Sequence, residues 1–440
     1  MSSQLKLLRT RRFLPFFVTQ ALGAFNDNVF KQSLILAILY KLSVEGDRTL
    51  WINLCALLFI LPFFLFSALA GQVGERYAKD RLIRAIKLAE VVIMALGAVG
   101  FIYGQLPLLL LTLFAMGTHS ALFGPVKYSI LPQTLAPDEL LGGNGLVEMG
   151  TFLAILGGTI AAGVLMAQTE YAPGVGVAIV AIAALGYLAS RAVPPAAASA
   201  PALPINWNIP AQTLRTLRLG LGQARAVSRS LVGNSWFWFV GATYLTHIPA
   251  YAKTWLHGDE TAVTLVLTVF SVGIALGSVL CERLSARQVE IGLVPFGALG
   301  LTLFGVLWWW HSGGVPVPSP GAPYGWLQLL GLGSAWPVLL DILGLGVFGG
   351  FYIVPLYALI QARTPAHQRA QVIAANNILN ALFMVASAVV AVGLLSGAGL
   401  SIPELFLAVS LMNLAVTAYL IRSVPEFGVR FVGWLRREGR

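Results

Sequence analysis

The sequence predicts an all-α membrane protein whose twelve transmembrane helices fall into two six-helix halves. Three observations carry that expectation. Of 440 residues, 57% are hydrophobic and only 10% charged, against about 25% charged in a typical soluble domain. Apolar stretches close to the ~20 residues needed to cross ~30 Å of hydrocarbon recur along the chain. Lys and Arg gather in alternate connections, as orientation in a membrane requires.

The first six spans read at 13–40, 51–73, 82–103, 107–131, 142–168 and 172–191. Lys6, Arg9, Arg11 and Arg12 precede the first, which gives it the look of a secretory leader. Its apolar run is too long, holds Asn26-Asp27-Asn28, and is followed by no small-residue cleavage site, so a retained helix is expected. A Pro- and Ala-rich stretch with scattered arginines, 192–232, is the longest connection and reads as a linker. Spans seven to twelve follow at 233–253, 261–281, 289–311, 337–361, 371–395 and 401–422. The expected organisation is an N-terminal half (1–191), a linker (192–232), a C-terminal half (233–423) and a basic tail (424–440).

With the N-terminus in the cytoplasm, 23 of the 28 Lys and Arg fall on the cytoplasmic side. Lys41, Arg48 and Lys253 fall outside, and Lys31 and Lys127 stay within spans. A wrong helix count would scramble this alternation, so both termini are expected in the cytoplasm. The formal charge of +10 therefore reflects membrane topology and not nucleic-acid binding.

Cys55 and Cys281 lie in separate apolar spans, which excludes a disulfide framework or a paired-cysteine metal site. There is no Gly-x-x-x-x-Gly-Lys-Ser/Thr loop for nucleotide phosphates. Five histidines form no catalytic His-Asp, Ser-His or metal-ligand pattern, so neither an enzyme nor a cofactor is expected.

The halves echo each other, as in transporters built from parallel repeats. Glu75-Arg76 follows span two and Glu282-Arg283 follows span eight, the latter trailed by Arg287. Gln133 to Pro137 leaves span four as Gln361 to Pro365 leaves span ten.

An ionisable group within a span costs at least ~2.5 kcal/mol on insertion scales, so it is expected to face a polar cavity with a partner. Asp27 lies halfway along span one and Lys31 one turn further on the same face, where an ion pair is possible. Asn26 and Asn28 add donors and acceptors, which suits a zwitterionic head group. The alternative is a structural pair that locks helices. Lys127 near the end of span four and Glu148 near the start of span five can pair across their hairpin, with Glu90 at similar depth. Lys127 is then either a phosphate site or structural.

The second half has few central charges; Asp341, His247, Asn376, Asn377 and Asn380 are its polar features. It has many rings instead, among them Trp236 to Phe239, Phe348, Phe351, Tyr352 and Tyr357. One polar and one apolar half suit a substrate with a charged head and one acyl tail; alternatively the rings pack against lipid or the bundle core. Gly157, Gly158 and Gly163 in span five and Gly273 and Gly277 in span eight permit close helix approach.

The run Gly71-Gln-Val-Gly-Glu75-Arg76-Tyr-Ala-Lys79 resembles the Gly-x-x-x-Asp-Arg-x-Gly-Arg-type motif of the major facilitator superfamily, with Glu75 for Asp and Ala78 for Gly. In that family the motif latches helix ends by ion pairing, which implies gating roles for Gly71, Glu75, Arg76 and Lys79, and by the repeat for Glu282 and Arg283. Three longer stretches, Phe17 to Lys31, Phe123 to Gln133 and Gly143 to Phe152, resemble the bacterial lysophospholipid transporters. Ser235 to Trp238 and Gly258-Asp259-Glu260 match more loosely.

The resemblance implies a monomeric major-facilitator flippase for lysophosphatidylethanolamine-like lipids. It would move them from the outer to the inner leaflet of the bacterial inner membrane by alternating access, with lateral lipid entry at the seam of spans five and eight. Substrate contacts are implied at Asn26, Asp27, Asn28, Lys31, Lys127 and Glu148, with an acyltransferase/acyl-carrier-protein synthetase acting downstream. No His is followed five residues later by Asp, as the fused acyltransferase of some relatives would need, so the transporter portion alone is expected. A proton-coupled exporter of amphiphilic small molecules, titrating at Asp27 or Glu148, is the rival.

Overall fold

A computed structural model describes residues 3–42, 48–168, 173–285, 289–319 and 322–436. Among them twelve helices run 18 residues or longer: α1 (Leu14–Tyr40), α2 (Arg48–Arg76), α3 (Lys79–Ile102), α4 (Leu106–Ser129), α5 (Leu140–Gln168), α6 (Pro173–Ser190), α7 (Arg225–Thr254), α8 (Glu260–Leu284), α9 (Leu293–His311), α10 (Trp336–Arg363), α11 (Arg369–Val392) and α12 (Ile402–Ser423). Nine helices among the described residues are long and apolar enough to cross a membrane. Of the rest, α6 is apolar but short, while α1 and α7 carry polar side chains such as Asn26, Asp27, Asn28 and Lys31, or Asn234 and His247. The chain is an all-helical, multi-pass membrane protein.

Local chemistry explains where several helices begin. α1, α4 and α12 open with proline in the first turn, where the missing N–H is no loss. Ser401 and Glu404 form a capping box on α12. Asp259 caps α8 by accepting from Thr261 N at 2.8 Å and Ala262 N at 3.1 Å. Helices also extend past the apolar windows: α3 starts at Lys79 and not near 82, about one turn earlier, and α7 starts at Arg225 and not near 233, about two turns earlier.

The chain divides into two compact units. The first holds residues 1–143, 153–223 and 360–381. In it α2 packs on α4, α3 on α4 and α6, and α1 on α6, around a core that includes Phe30, Leu34, Met94, Leu113, Met116 and Ile179. The stretch after α6 contains a helix, Ile209–Leu221, capped by Asn208 and laid against α2 through a Thr213 hydroxyl bond to Phe64 O at 3.4 Å.

The second unit holds residues 144–152, 224–359 and 382–440. Here α9 packs on α12, and α7 on α8 and α12. Tyr244, Tyr251, Trp308 and Phe406 form a buried ring cluster with centroids 4.5–5.7 Å apart. A last helix, Pro425–Arg436, buries Phe427 and donates from Trp434 Nε1 to Leu284 O at 2.8 Å.

The glycines of α5 and α8 are used within the units. A Cβ at Gly158 would strike Phe25 O and Asn28 Cβ of α1, and Gly273 and Gly277 sit against the α10 backbone at Leu343 and Val347. Gly163 has open space beside it. The approach of α5 to α8 comes instead at Gly145, facing Ser278 O.

Candidate functional site

The densest polar cluster lies inside the first unit, where α1, α3, α4 and α6 converge. Glu90 of α3 is its centre, 1% exposed. Its Oε2 accepts from Lys87 Nζ at 2.6 Å and lies 3.2 Å from His119 Nε2. Its Oε1 accepts from Asn26 Nδ2 at 3.1 Å, and the same amide donates to Ile179 O at 3.1 Å. The Lys87 ammonium also sits 5.0 Å from the Phe123 ring centroid, and it occupies the space that a side chain at Gly23 would fill. A buried carboxylate is thus matched by a buried ammonium and an amide, the partners that burial demands, with the His119 imidazole beside them.

This cluster corrects the sequence reading of Lys87. Charge sorting counted it among the cytoplasmic residues although it lies within the 82–103 window; the helix begins at Lys79, so Lys87 is two turns inside it and fully buried. Lys87 and Glu90 are i,i+3 neighbours, a spacing that puts them on one face once the helix start is known.

Asp27 and Lys31 do not form the ion pair that their spacing allows. Asp27 is half-buried and turns to α4, where its Oδ2 accepts from Ser120 Oγ at 2.7 Å; Oδ1 has no hydrogen-bond partner among the described residues. Lys31 leans instead toward α2, its ammonium 5.3 Å from the Phe59 ring centroid. The two side chains share a turn of α1 but face different neighbours. Asn26 and Asn28 also divide: Asn26 joins Glu90, while Asn28 Nδ2 folds back on Ala24 O at 2.8 Å.

Lys127 lies near the end of α4, half-buried, with its ammonium 5.0 Å from the Tyr128 ring centroid. Glu148 is buried in α5. These two residues belong to different units, Lys127 to the first and Glu148 to the second.

The motif at the end of α2 acts through hydrogen bonds. Glu75 is buried, and its Oε1 accepts the backbone N–H of Ala370 in the first turn of α11. That places a carboxylate on the positive end of a helix. A Cβ at Gly71 would lie 2.8 Å from Ala374 Cβ and 2.9 Å from Gln371 Cα, so Gly71 lets α11 approach. Lys79 Nζ donates to Ser199 Oγ at 2.8 Å, and Asp80 accepts from Ala196 N at 3.1 Å and pairs with Arg84 at 3.3 Å. Arg76 Nη1 reaches Leu203 O at 3.4 Å. The latch expected as an ion pair is a helix cap plus bonds to the extended segment of residues 193–206, because Glu75 lies nearer a helix N-terminus than any cation among the described residues. In the second half, Glu282 is buried at the end of α8 and Arg283 is exposed; Arg287 lies outside the described residues.

In the second unit Trp236, Phe237 and Phe239 are buried, and Trp236 Nε1 donates to Asn413 Oδ1 at 2.8 Å. Phe237 stacks on Tyr352 at 6.4 Å, and His247 Nδ1 lies 2.8 Å from Thr243 O. These groups are packed into the bundle. Asp341 meets His311 Nδ1 at 2.7 Å.

Long apolar helices that enclose a charged, hydrogen-bonded cluster define a polytopic membrane transporter. A family model for the Major Facilitator Superfamily matches residues 16–388, and the chain belongs to that superfamily. As a member it is a transporter and not an enzyme. Relatives include the lysophospholipid transporters LplT of Escherichia fergusonii, 29% identical over 350 residues (79% of each chain), and of Serratia proteamaculans, 29% identical over 365 residues (81% of each). Among solved structures, the human organic anion transporter MFSD10 (TETRAN) matches with a TM-score of 0.74 at 14% identity, covering 93% of this chain and 99% of that one. The Escherichia coli fucose:proton symporter FucP matches with a TM-score of 0.66 at 12% identity, covering 94% and 99%. These two likenesses bear on the fold alone.

Proposed function

We propose that this chain is a lysophospholipid transporter that moves single-tailed, lysophosphatidylethanolamine-like lipids from the outer to the inner leaflet of a bacterial inner membrane, with both termini in the cytoplasm. The observation that supports the reading is an acid and a base one turn apart on one helix that form no ion pair within 4 Å among the described residues: Asp27 keeps one carboxylate oxygen unbonded, and the Lys31 ammonium lies over the Phe59 ring. A zwitterionic head group offers an ammonium to the first and a phosphate to the second, and each contact would neutralise a charge that is costly within a span. The relatives named above give the substrate class its support.

Alternating access supplies the conformational cycle in this reading, with Glu75, Arg76 and Lys79, and their counterparts Glu282 and Arg283, gating it. Asn26, Asn28, Lys127 and Glu148 complete the substrate path. Lipid enters laterally between spans five and eight, since an acyl chain gains nothing by leaving hydrocarbon for water. The transporter works as a monomer, and an acyltransferase/acyl-carrier-protein synthetase consumes the delivered lipid. The deciding experiment is uptake of labelled lysophosphatidylethanolamine into proteoliposomes, with diacyl phosphatidylethanolamine as control. Preference for the diacyl lipid, or no lipid movement, would overturn the reading.

One observation favours a second reading. Glu90 and His119 form a buried carboxylate–imidazole contact, which a proton-coupled exporter of amphiphilic small molecules would use. Transport measured with and without an imposed proton gradient separates the two.

A further inference from the structure

The first unit contains a cavity of about 560 Å³ between α2, α3 and α4. It exists because α2 and α3 each pack on α4 but hardly touch each other. Four alanines in its wall, Ala70, Ala85, Ala89 and Ala115, leave the space, and the Phe66–Phe114 pair borders it. Ala85 and Ala89 are exposed, so the cavity opens sideways as a groove. Along α3 it runs from Leu82 to Ile93, about 16 Å at ~1.5 Å per residue. His119 forms part of the wall with both ring nitrogens buried, so the lining stays apolar.

The internal repeat supplies a contrast. In the second unit, α9 and α10 correspond to α3 and α4. There Phe296 packs on Phe348 at 5.0 Å, on Phe351 at 5.7 Å and on Trp434 of the last helix at 5.1 Å. In the second unit these helices are filled by rings and joined by the last helix, whereas in the first Ala85, Ala89 and Ala115 leave space between α3 and α4.

One end of the groove is basic. Arg81 is exposed and precedes Ala85 by one turn on the same face, and Arg76 follows Val73 by one turn. Arg84 is matched by Asp80, but Arg81 and Arg76 have no carboxylate within 4 Å among the described residues. Arg76 stands over the Tyr77 ring at 5.6 Å, and Tyr77 is exposed. An apolar groove with Arg81 and Arg76 one turn beyond lining residues at one end, Arg76 also reaching Leu203 O, complements an acyl chain that ends in a phosphate.

We propose that the groove between α2, α3 and α4 holds one acyl chain of a bilayer phospholipid, whose phosphate rests on Arg81 and Arg76. This lipid is a bound component of the transporter and not its cargo.

The test is native mass spectrometry of the purified full chain after addition of dioleoyl phosphatidylglycerol, with dioleoylglycerol as the phosphate-free probe. The parent protein should retain one phosphatidylglycerol. Ala89→Trp, which fills the groove, should cut retention about tenfold, whereas Leu88→Trp, on the neighbouring exposed position, should not. Ala85→Trp is the second filling variant should Ala89→Trp fail to fold. Arg81→Gln should weaken phosphatidylglycerol retention several-fold and leave dioleoylglycerol unaffected. Equal retention by the filled-groove variants, or by Arg81→Gln, overturns the proposal. So does retention of lysophosphatidylglycerol alone, which would make the groove part of the transport path.

Discussion

The Asn26 amide donates to Glu90 Oε1 at 3.1 Å, tying the middle of the first helix to the third. Glu90 takes Lys87 on its other oxygen, so an ion pair with almost no exposure lies beside a third helix's histidine. Removing one partner of a buried pair leaves an uncompensated charge and typically costs about 3–5 kcal/mol, while replacing both by apolar groups is often near neutral. Lys87→Met alone should therefore lower the thermal stability of the detergent-solubilised protein strongly. Lys87→Met combined with Glu90→Leu should recover most of the loss. A double variant as unstable as the single one would mean that Asn26 and His119, rather than the charge balance, set the cost.

Glu75 and Ala370 make a prediction about gating. The carboxylate caps α11, and loss of a helix cap costs about 0.5–2 kcal/mol. Glu75→Gln keeps an acceptor for the Ala370 N–H and loses only the charge, whereas Glu75→Ala loses both. Transport by Glu75→Gln should thus exceed that by Glu75→Ala, at comparable amounts of folded protein. Gly71→Leu should impair transport as well, because its side chain has no room beside Gln371 and Ala374.

Arg12 and Glu139 offer a pH test outside the spans. The guanidinium donates to both carboxylate oxygens, at 2.7 and 2.5 Å, and this holds the Glu139 carboxyl below its ordinary value of 4.5. A lowered carboxyl stabilises the fold above that ordinary value and loses the contribution as pH falls through its own lowered one. The pair is partly exposed, so its contribution is below about 1 kcal/mol. Thermal unfolding of the parent and of Glu139→Gln should differ by a small constant amount from neutral pH to pH 5, and the two should converge in more acidic buffer. A gap that widened on acidification would refute the assignment.

Much of this structure is legible in the sequence, for reasons that also explain what is not. The apolar windows place helices such as α4 and α12 to within a residue or two, because hydrocarbon thickness sets a length that composition records. Helix starts such as Lys79 and Arg225 are missed because the charged first turn of a helix has the composition of a loop. Counting Lys87 with the cytoplasmic charges, although its position lies within the window, left Glu90 without its counter-ion. His119 carries no periodic signal, since one imidazole in a span looks the same whether it packs or pairs. The cap of Glu75 on Ala370 joins residues 295 apart, which local spacing does not encode. Asp27 and Lys31 fail as a pair for the opposite reason. Their spacing is right, but the neighbours they face, Ser120 and Phe59, come from other helices.

Asp27 faces Ser120 and Lys31 faces Phe59, so the proposed head-group site and a structural lock predict different variants. A lock would make each residue depend on the other, so charge loss at one should destabilise the fold and exchange of the two should restore it. In the observed arrangement Asp27→Asn keeps an acceptor for Ser120 Oγ, and Lys31→Met gives up a contact with the Phe59 ring, about 0.5–2 kcal/mol for a cation near an aromatic face, but no direct ion pair among the described residues. Both single variants should therefore fold with thermal stability near that of the parent. Both should transport lysophosphatidylethanolamine poorly, because each removes the counter-charge for one end of the head group. The exchanged variant, Asp27→Lys with Lys31→Asp, should remain inactive, since it presents acid and base in the wrong order. Restored transport in that variant, or a matched loss of stability and transport in the single ones, would return the two residues to a structural role.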